Sequence, residues 1–135
     1  MPFEQVAHTA DLALKIWADD LKSLFCEAGK ALFATITDIN KIKKEEKTEI
    51  EIKAEGYENL LHDFLEELIF YFDARYKLFC DFEVLELTPN YLKIRCWGES
   101  IKGHKIEKCV KAATYHEFEI KKENGKYITT IIFDV

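Results

Sequence analysis

Two stretches of the chain repeat their apolar residues at helical spacing. Between Leu21 and Ala34, the residues Leu21, Leu24, Phe25, Ala28 and Leu32 fall on one stripe of a helix, with Ala31 beside it. Asp20 stands just before this run, where a carboxylate accepts amide hydrogens that a first turn leaves without partners. Between Tyr57 and Ala74, Tyr57, Leu60, Leu61, Phe64, Leu65, Leu68, Ile69 and Phe72 share one face. The same periodicity places Glu58, His62, Asp63, Glu66, Glu67 and Asp73 on the opposite face. Arg75 and Lys77 follow where cations favour a helix C-terminus.

The remaining apolar residues alternate. Leu12, Leu14 and Ile16 interleave with Ala13, Lys15 and Trp17, and Ile50, Ile52 and Ala54 with Glu49, Glu51, Lys53 and Glu55. Phe82 and Val84 lead to Leu87. Thr88-Pro89-Asn90 then turns into Tyr91 to Trp97, where Leu92, Ile94 and Cys96 alternate with Lys93 and Arg95. Tyr115 to Glu123 reads as a strand that meets Asn124-Gly125 and returns as Lys126 to Val135, and Asn-Gly between two such runs is a strong hairpin signal. This pattern predicts an α+β protein: a mostly antiparallel or mixed β-sheet with two long amphipathic helices packed on one face. No linker or internal repeat breaks it, so residues 1–135 read as a single domain.

Composition narrows the picture. Of 135 residues, 48% are hydrophobic, enough to fill one core without disulfides or metal. The formal net charge of −6 repels phosphates, so strong direct binding of nucleic acid is not expected of the chain as a whole. An acidic surface suits a cation or a basic partner. The dense run Lys41 to Lys47 is mixed in sign and reads as a solvated loop. Cys26, Cys80, Cys96 and Cys109 form no C-x-x-C pair and read as small buried hydrophobes in a reducing cytoplasm. No apolar run reaches the ~20 residues of a membrane span, and the beginning Met-Pro-Phe-Glu has no basic segment before an apolar one. Glycine-rich phosphate-binding loops are absent.

Three places are candidates for chemistry. His8-Thr9-Ala10-Asp11 precedes the strand at Leu12, so Asp11 is either a turn residue or a carboxylate at a sheet rim. Ile131 to Val135 is an apolar strand ending in Asp134 and the carboxylate of Val135. If it lies beside the Leu12 strand, Asp11 and Asp134 converge on an oxygen-lined site for a hard divalent ion, with calcium, magnesium and manganese all compatible. The third place runs from Gly98-Glu99 to His104 and then from Val110 to His116. It concentrates two histidines, a lysine and a glutamate, and suits a partner-contact loop, an acid–base site, or a strand with a hydrogen-bonded histidine inside. Tyr91, Lys93, Arg95 and Trp97 alternate on one strand as the one credible base-stacking face.

Taken together, three ordered motifs resemble the archease family: His8-Thr9-Ala10-Asp11-Leu12-Ala13-Leu14, Val110-Lys111-Ala112-Ala113-Thr114-Tyr115-His116, and Phe133-Asp134-Val135. Both helical patterns also look like that family's. The resemblance implies a single archease-like α+β domain in the cytoplasm, a non-catalytic protein cofactor of an RtcB-type RNA ligase. In that role it promotes guanylylation and turnover of the ligase in tRNA splicing, acting only indirectly on tRNA exon halves. It also implies a metal site, with calcium first among divalent cations, at Asp11, Asp134 and Val135. Lys111, Glu99 and His104 match family-like positions and are assigned a partner-facing role. Trp17-Ala18-Asp19-Asp20 departs from the resemblance, where a glycine is expected in the turn. The alternatives are a metal-dependent phosphoesterase using Asp11 and Asp134, and a chaperone-like binding module.

Overall fold

A computed structural model describes residues 2–6, 11–115 and 118–135. His8, Thr9 and Ala10 of the first motif and His116 of the second lie outside the described residues. The order of elements is β1 (Phe3–Val6), β2 (Leu12–Ala18), α1 (Leu21–Ile36), a 3-10 turn (Ile39–Lys41), β3 (Glu46–Lys53), α2 (Tyr57–Arg75), β4 (Lys77–Thr88), β5 (Tyr91–Ser100), β6 (Ala112–Ala113), β7 (Ile120–Glu123) and β8 (Lys126–Asp134).

The fold is α+β, as the periodicities predict, and every described strand pair is antiparallel. The strands divide into two sheets, a division that alternation alone does not reveal. One runs β1-β2-β8-β6 with β7 also on β8; the other runs β3-β5-β4. The first thus joins the two ends of the chain, and the second is built from its middle.

Helix α1 begins as its sequence dictates: the Asp20 carboxylate accepts the Ser23 amide at 2.7 Å. The neighbouring Asp19 accepts Lys126 Nζ at 2.7 Å, so the aspartates that stand where a glycine is expected are a cap and a surface ion pair. The helix runs two residues beyond Ala34, because Ile36 is buried and Thr37 closes the last turn onto the Phe33 carbonyl. Gly29 lets it lie close on the sheet: a Cβ there would meet the Phe82 ring at 2.7 Å. Around that contact, the ring centroid of Phe82 lies 6.5 Å from that of Phe33, 6.0 Å from Phe64 and 6.4 Å from Phe79, which ties both helices to β4.

On the outer face of β3-β5-β4 the cations of the Tyr91-to-Trp97 row are paired with carboxylates. Lys93 is paired in register with Glu51 and Glu86, and Arg95 with Glu49 and Glu83. The Arg95 guanidinium sits 2.8 Å from Glu49 and 3.6 Å from Glu83, and the Tyr91 hydroxyl donates to Glu51. Each cation of this row therefore already lies between carboxylates, which repel a phosphate backbone. The mixed run near Lys44 is also more ordered than a free loop. Lys44 bridges to Asp81, and Lys47 already belongs to β3.

Candidate functional site

The site is built at one rim of the five-stranded sheet. The register of β2 and β8 runs from Ala18 opposite Tyr127 to Leu12 opposite Phe133. Asp11 directly precedes Leu12 and Asp134 directly follows Phe133, so both stand at the end of this strand pair. The apolar cross-strand series fixes this pairing, because a slip by one residue would turn Leu12, Leu14, Ile131 and Phe133 out of the core. Asp11 is half-buried, Asp134 is exposed, and Val135 follows on the rim.

The second motif arrives at the same rim. Ala112 and Ala113 form the short strand β6 against Asp134 and Phe133. The Lys111 amide donates to the Asp134 carbonyl at 2.8 Å, and the Thr114 amide to the Ile132 carbonyl at 2.8 Å. Lys111 is exposed. Strand pairing thus brings the backbone of Lys111, Asp134 and Val135 to the end of the sheet at which β2 begins after Asp11.

Glu99 and His104 are placed differently. His104 Nε2 lies 2.8 Å from the Glu99 carboxylate, and both side chains are largely covered. Glu99 also accepts the Lys43 amide at 3.0 Å. That amide first, and His104 second, hold the Glu99 carboxyl below its ordinary value of 4.5. The pair closes the start of the connection from β5 to β6. Further along, the Thr37 hydroxyl donates to the Lys105 carbonyl at 2.7 Å and the Glu107 amide to the Ile36 carbonyl at 2.8 Å, which satisfies the end of α1. The connection is therefore a strap fixed at three points between the two sheets. Because the Glu99 carboxyl is depressed in the fold, its stabilising effect is complete above about pH 4.5 and fades as pH falls through the lower folded value. The Lys43 amide and the His104 ring are expected to shift together in an NMR titration with a midpoint below 4.5. A midpoint above that value, or the same transition in Glu99→Gln, would contradict this account.

Periodicity puts His62 on the solvent face of α2; the structure buries it at 8% exposure. Its Nε2 donates to the Ala113 carbonyl at 2.9 Å, its Nδ1 lies 3.1 Å from Asp63 Oδ1, and its ring stacks on Tyr115 with centroids 3.7 Å apart. One turn on, Glu66 accepts the Ala113 amide at 2.8 Å; one turn back, Glu58 accepts the Ile120 amide at 3.3 Å. Glu58, His62 and Glu66 stand at i, i+4 and i+8, so they line one seam. That spacing is the signal available in the sequence. Desolvation first, then the Asp63 carboxylate, pushes the Tyr115 phenol up from its ordinary value. Of the strand predicted from Tyr115 to Glu123, Ile120–Glu123 forms; among the described residues before it, Tyr115, Phe118 and Glu119 are not in a strand, and α2 side chains take the Ala113 and Ile120 amides.

Of the four cysteines, Cys96 is buried and Cys26 is half-buried, and burial pushes the Cys26 thiol up to about 11. Cys109 is exposed, against the expectation of a buried hydrophobe. Among the described residues, no three His, Cys, Asp or Glu side chains gather as a metal cluster, and no helix is long and apolar enough to cross a membrane.

The chain and its fold resemble known proteins over nearly the whole length. The sequence pattern of the archease protein family matches residues 3–135. The chain belongs to the archease family. It is 40% identical to the protein archease of Methanopyrus kandleri over the full length of both. It is 36% identical to that of Pyrococcus abyssi, over 98% of each chain. The solution structure of Methanobacterium thermoautotrophicum protein 1598 superposes with a TM-score of 0.82 at 32% identity, covering 99% of both chains. The crystal structure of a Thermotoga maritima archease, described as a possible chaperone, gives 0.64 at 22% identity over 98% of this chain and 96% of that one, a likeness of fold.

Proposed function

We propose that this archease-family protein is a non-catalytic cofactor of an RtcB-type RNA ligase in the cytoplasm, promoting the ligase's guanylylation and turnover in tRNA splicing. The observation that supports this reading is the pairing of β2 with β8, which brings the start of β2 and the end of β8 to one rim, where the Lys111 amide donates to the Asp134 carbonyl. The side-chain and terminal donors of Asp11, Asp134 and Val135 are oxygens, a set that fits a hard divalent cation, calcium first and magnesium or manganese after it. Asp11, Asp134 and the oxygens of Val135 would hold it, with water completing the shell. Such an ion supplies charge compensation. The protein's own residues would supply position and charge, the main levers of phosphoryl transfer. Lys111 is assigned the contact with the ligase or its nucleotide. Glu99 and His104 serve that contact by fixing the strap that leads to it.

The alternatives are less well supported. A phosphoesterase needs a base or second metal shell beyond the two carboxylates. A general chaperone needs a broad apolar surface, whereas the large apolar residues exposed among the described ones are five, Phe70, Tyr76, Leu85, Tyr115 and Val135. Expected result: wild type stimulates guanylylation of the ligase, and Asp11→Ala loses at least about tenfold of that effect, or ~1.4 kcal/mol of coupling. Millimolar calcium raises the melting midpoint of wild type, and EDTA reverses it. Full stimulation by Asp11→Ala would remove the rim from the mechanism, and turnover of a phosphodiester by the purified protein alone would favour the enzyme reading.

A further inference from the structure

We propose that His62 and Glu66 are positioning residues: the seam they form on α2 holds the segment from Lys111 to Thr114 on β8 and thereby sets Lys111 beside Asp134. The inference deepens the reading of the rim given above and rests on it for its functional consequence.

Strand β6 is only two residues long, Ala112–Ala113. Two residues cannot hold a strand by ladder bonds alone, because fixing each backbone residue costs ~1–2 kcal/mol of entropy. The other edge of β6 supplies what is missing. Both polar groups of the Ala113 peptide positions are taken by α2, the amide by Glu66 at 2.8 Å and the carbonyl by His62 at 2.9 Å. On the opposite side Lys111 and Thr114 donate to the Asp134 and Ile132 carbonyls. The segment is therefore clasped between a helix and a strand, with a bond every one or two residues.

The clasp is also oriented. His62 is held from its other nitrogen by Asp63 and from above by the Tyr115 ring, so it has little freedom to swing away. Helix α2 itself is seated by fully buried Leu61, Phe64, Leu65 and Leu68, which makes it a rigid frame of reference for the rim. Removing the Glu66 carboxylate leaves the Ala113 amide without its partner in a partly buried place, a loss concentrated on a two-residue strand. The segment should then detach locally while the core persists.

The test compares wild type, Glu66→Ala, Glu66→Gln, and Ile52→Ala as a control destabilised in the other sheet. Amide hydrogen exchange is read at Lys111 and Thr114, and terbium luminescence, with terbium as a calcium substitute, reads cation affinity at the rim. The expected result is exchange about tenfold or more faster at both amides in Glu66→Ala, with β4 and β5 amides unchanged and terbium binding several-fold weaker. Glu66→Gln keeps an acceptor for the Ala113 amide and restores both. If Glu66→Ala does not fold, Tyr115→Ala removes the exposed ring that backs His62, and it should speed the same two amides to a lesser degree. Unchanged protection at Lys111 and Thr114, or equal losses in Ile52→Ala, would overturn the proposal. If wild type binds no terbium while the exchange pattern is as expected, the cation reading falls and the clasp stands.

Discussion

Phe82→Ala is expected to remove about 3–5 kcal/mol of folding stability, near the top of the range for a large-to-small core change. The magnitude follows from what surrounds the ring. Phe82 is 6% exposed and touches aromatic rings from both helices and its own strand: Phe33 of α1, Phe64 of α2 and Phe79 of β4. Facing it is Gly29, which has no side chain to move into the space. A cavity there is walled by packed rings and a helix backbone, so it cannot readily collapse. With a total stability of about 5–15 kcal/mol, such a loss leaves a marginal protein. In urea the midpoint should fall by on the order of 2 M with little change in slope. Phe82→Leu should lose clearly less. A change below about 1 kcal/mol for the alanine variant would mean that the helices close onto the sheet, and that Gly29 is not needed for a fixed approach.

The parts of this fold that rest on local periodicity were readable. Both helices begin where the apolar stripe begins, at Leu21 and Tyr57, and α1 is capped by the aspartate that stands before it. The hairpin at Asn124-Gly125 forms with Asn124 and Gly125 at positive φ, as that dipeptide predicts. The pairing of the Leu12 strand with the tail strand could not be read from sequence. The apolar alternation of Leu12 to Ile16 and Ile131 to Phe133 permits it, and only coordinates select it over pairing with the middle strands.

What was not readable has a common cause. His62 lies on the polar side of an amphipathic helix by its spacing, yet it is buried because a distant segment closes over it. The partner that ties it to the distant segment is the Ala113 carbonyl, a backbone atom that leaves no mark in the sequence of that segment. The strap from Ile101 to Val110 is likewise held by backbone acceptors, the Ile36 and Lys105 carbonyls, and by the Glu99 and His104 side chains acting on each other. Histidine, lysine and glutamate near a glycine read as surface chemistry in one dimension. In three dimensions, part of that set is the support on which the exposed part rests.

Gly98→Ala should be comparably damaging, about 3 kcal/mol or more, for a reason of space rather than of backbone angle. A Cβ at this position would lie 1.8 Å from the Leu78 carbonyl oxygen and 2.8 Å from the Phe79 Cα. Both are backbone atoms of β4, next to the irregularity between Phe79 and Asp81 where that strand bends across β5. No rotamer relieves such a contact: the strands must separate or slip. A slip by one residue would turn Leu92, Ile94 and Cys96 out of the core. Glu99 is the next residue, so separation would also pull its carboxylate from the Lys43 amide and from His104 and loosen the strap that leads to Lys111. Gly103→Ala is the informative comparison. Gly103 has φ +85 and nothing within 4 Å of an added Cβ, so alanine there meets only the strain of a left-handed backbone, about 1–2 kcal/mol. The expected order of thermal midpoints is wild type, then Gly103→Ala, then Gly98→Ala. The reverse order would show that β4 and β5 part easily at this point, and that the strap does not depend on their close approach.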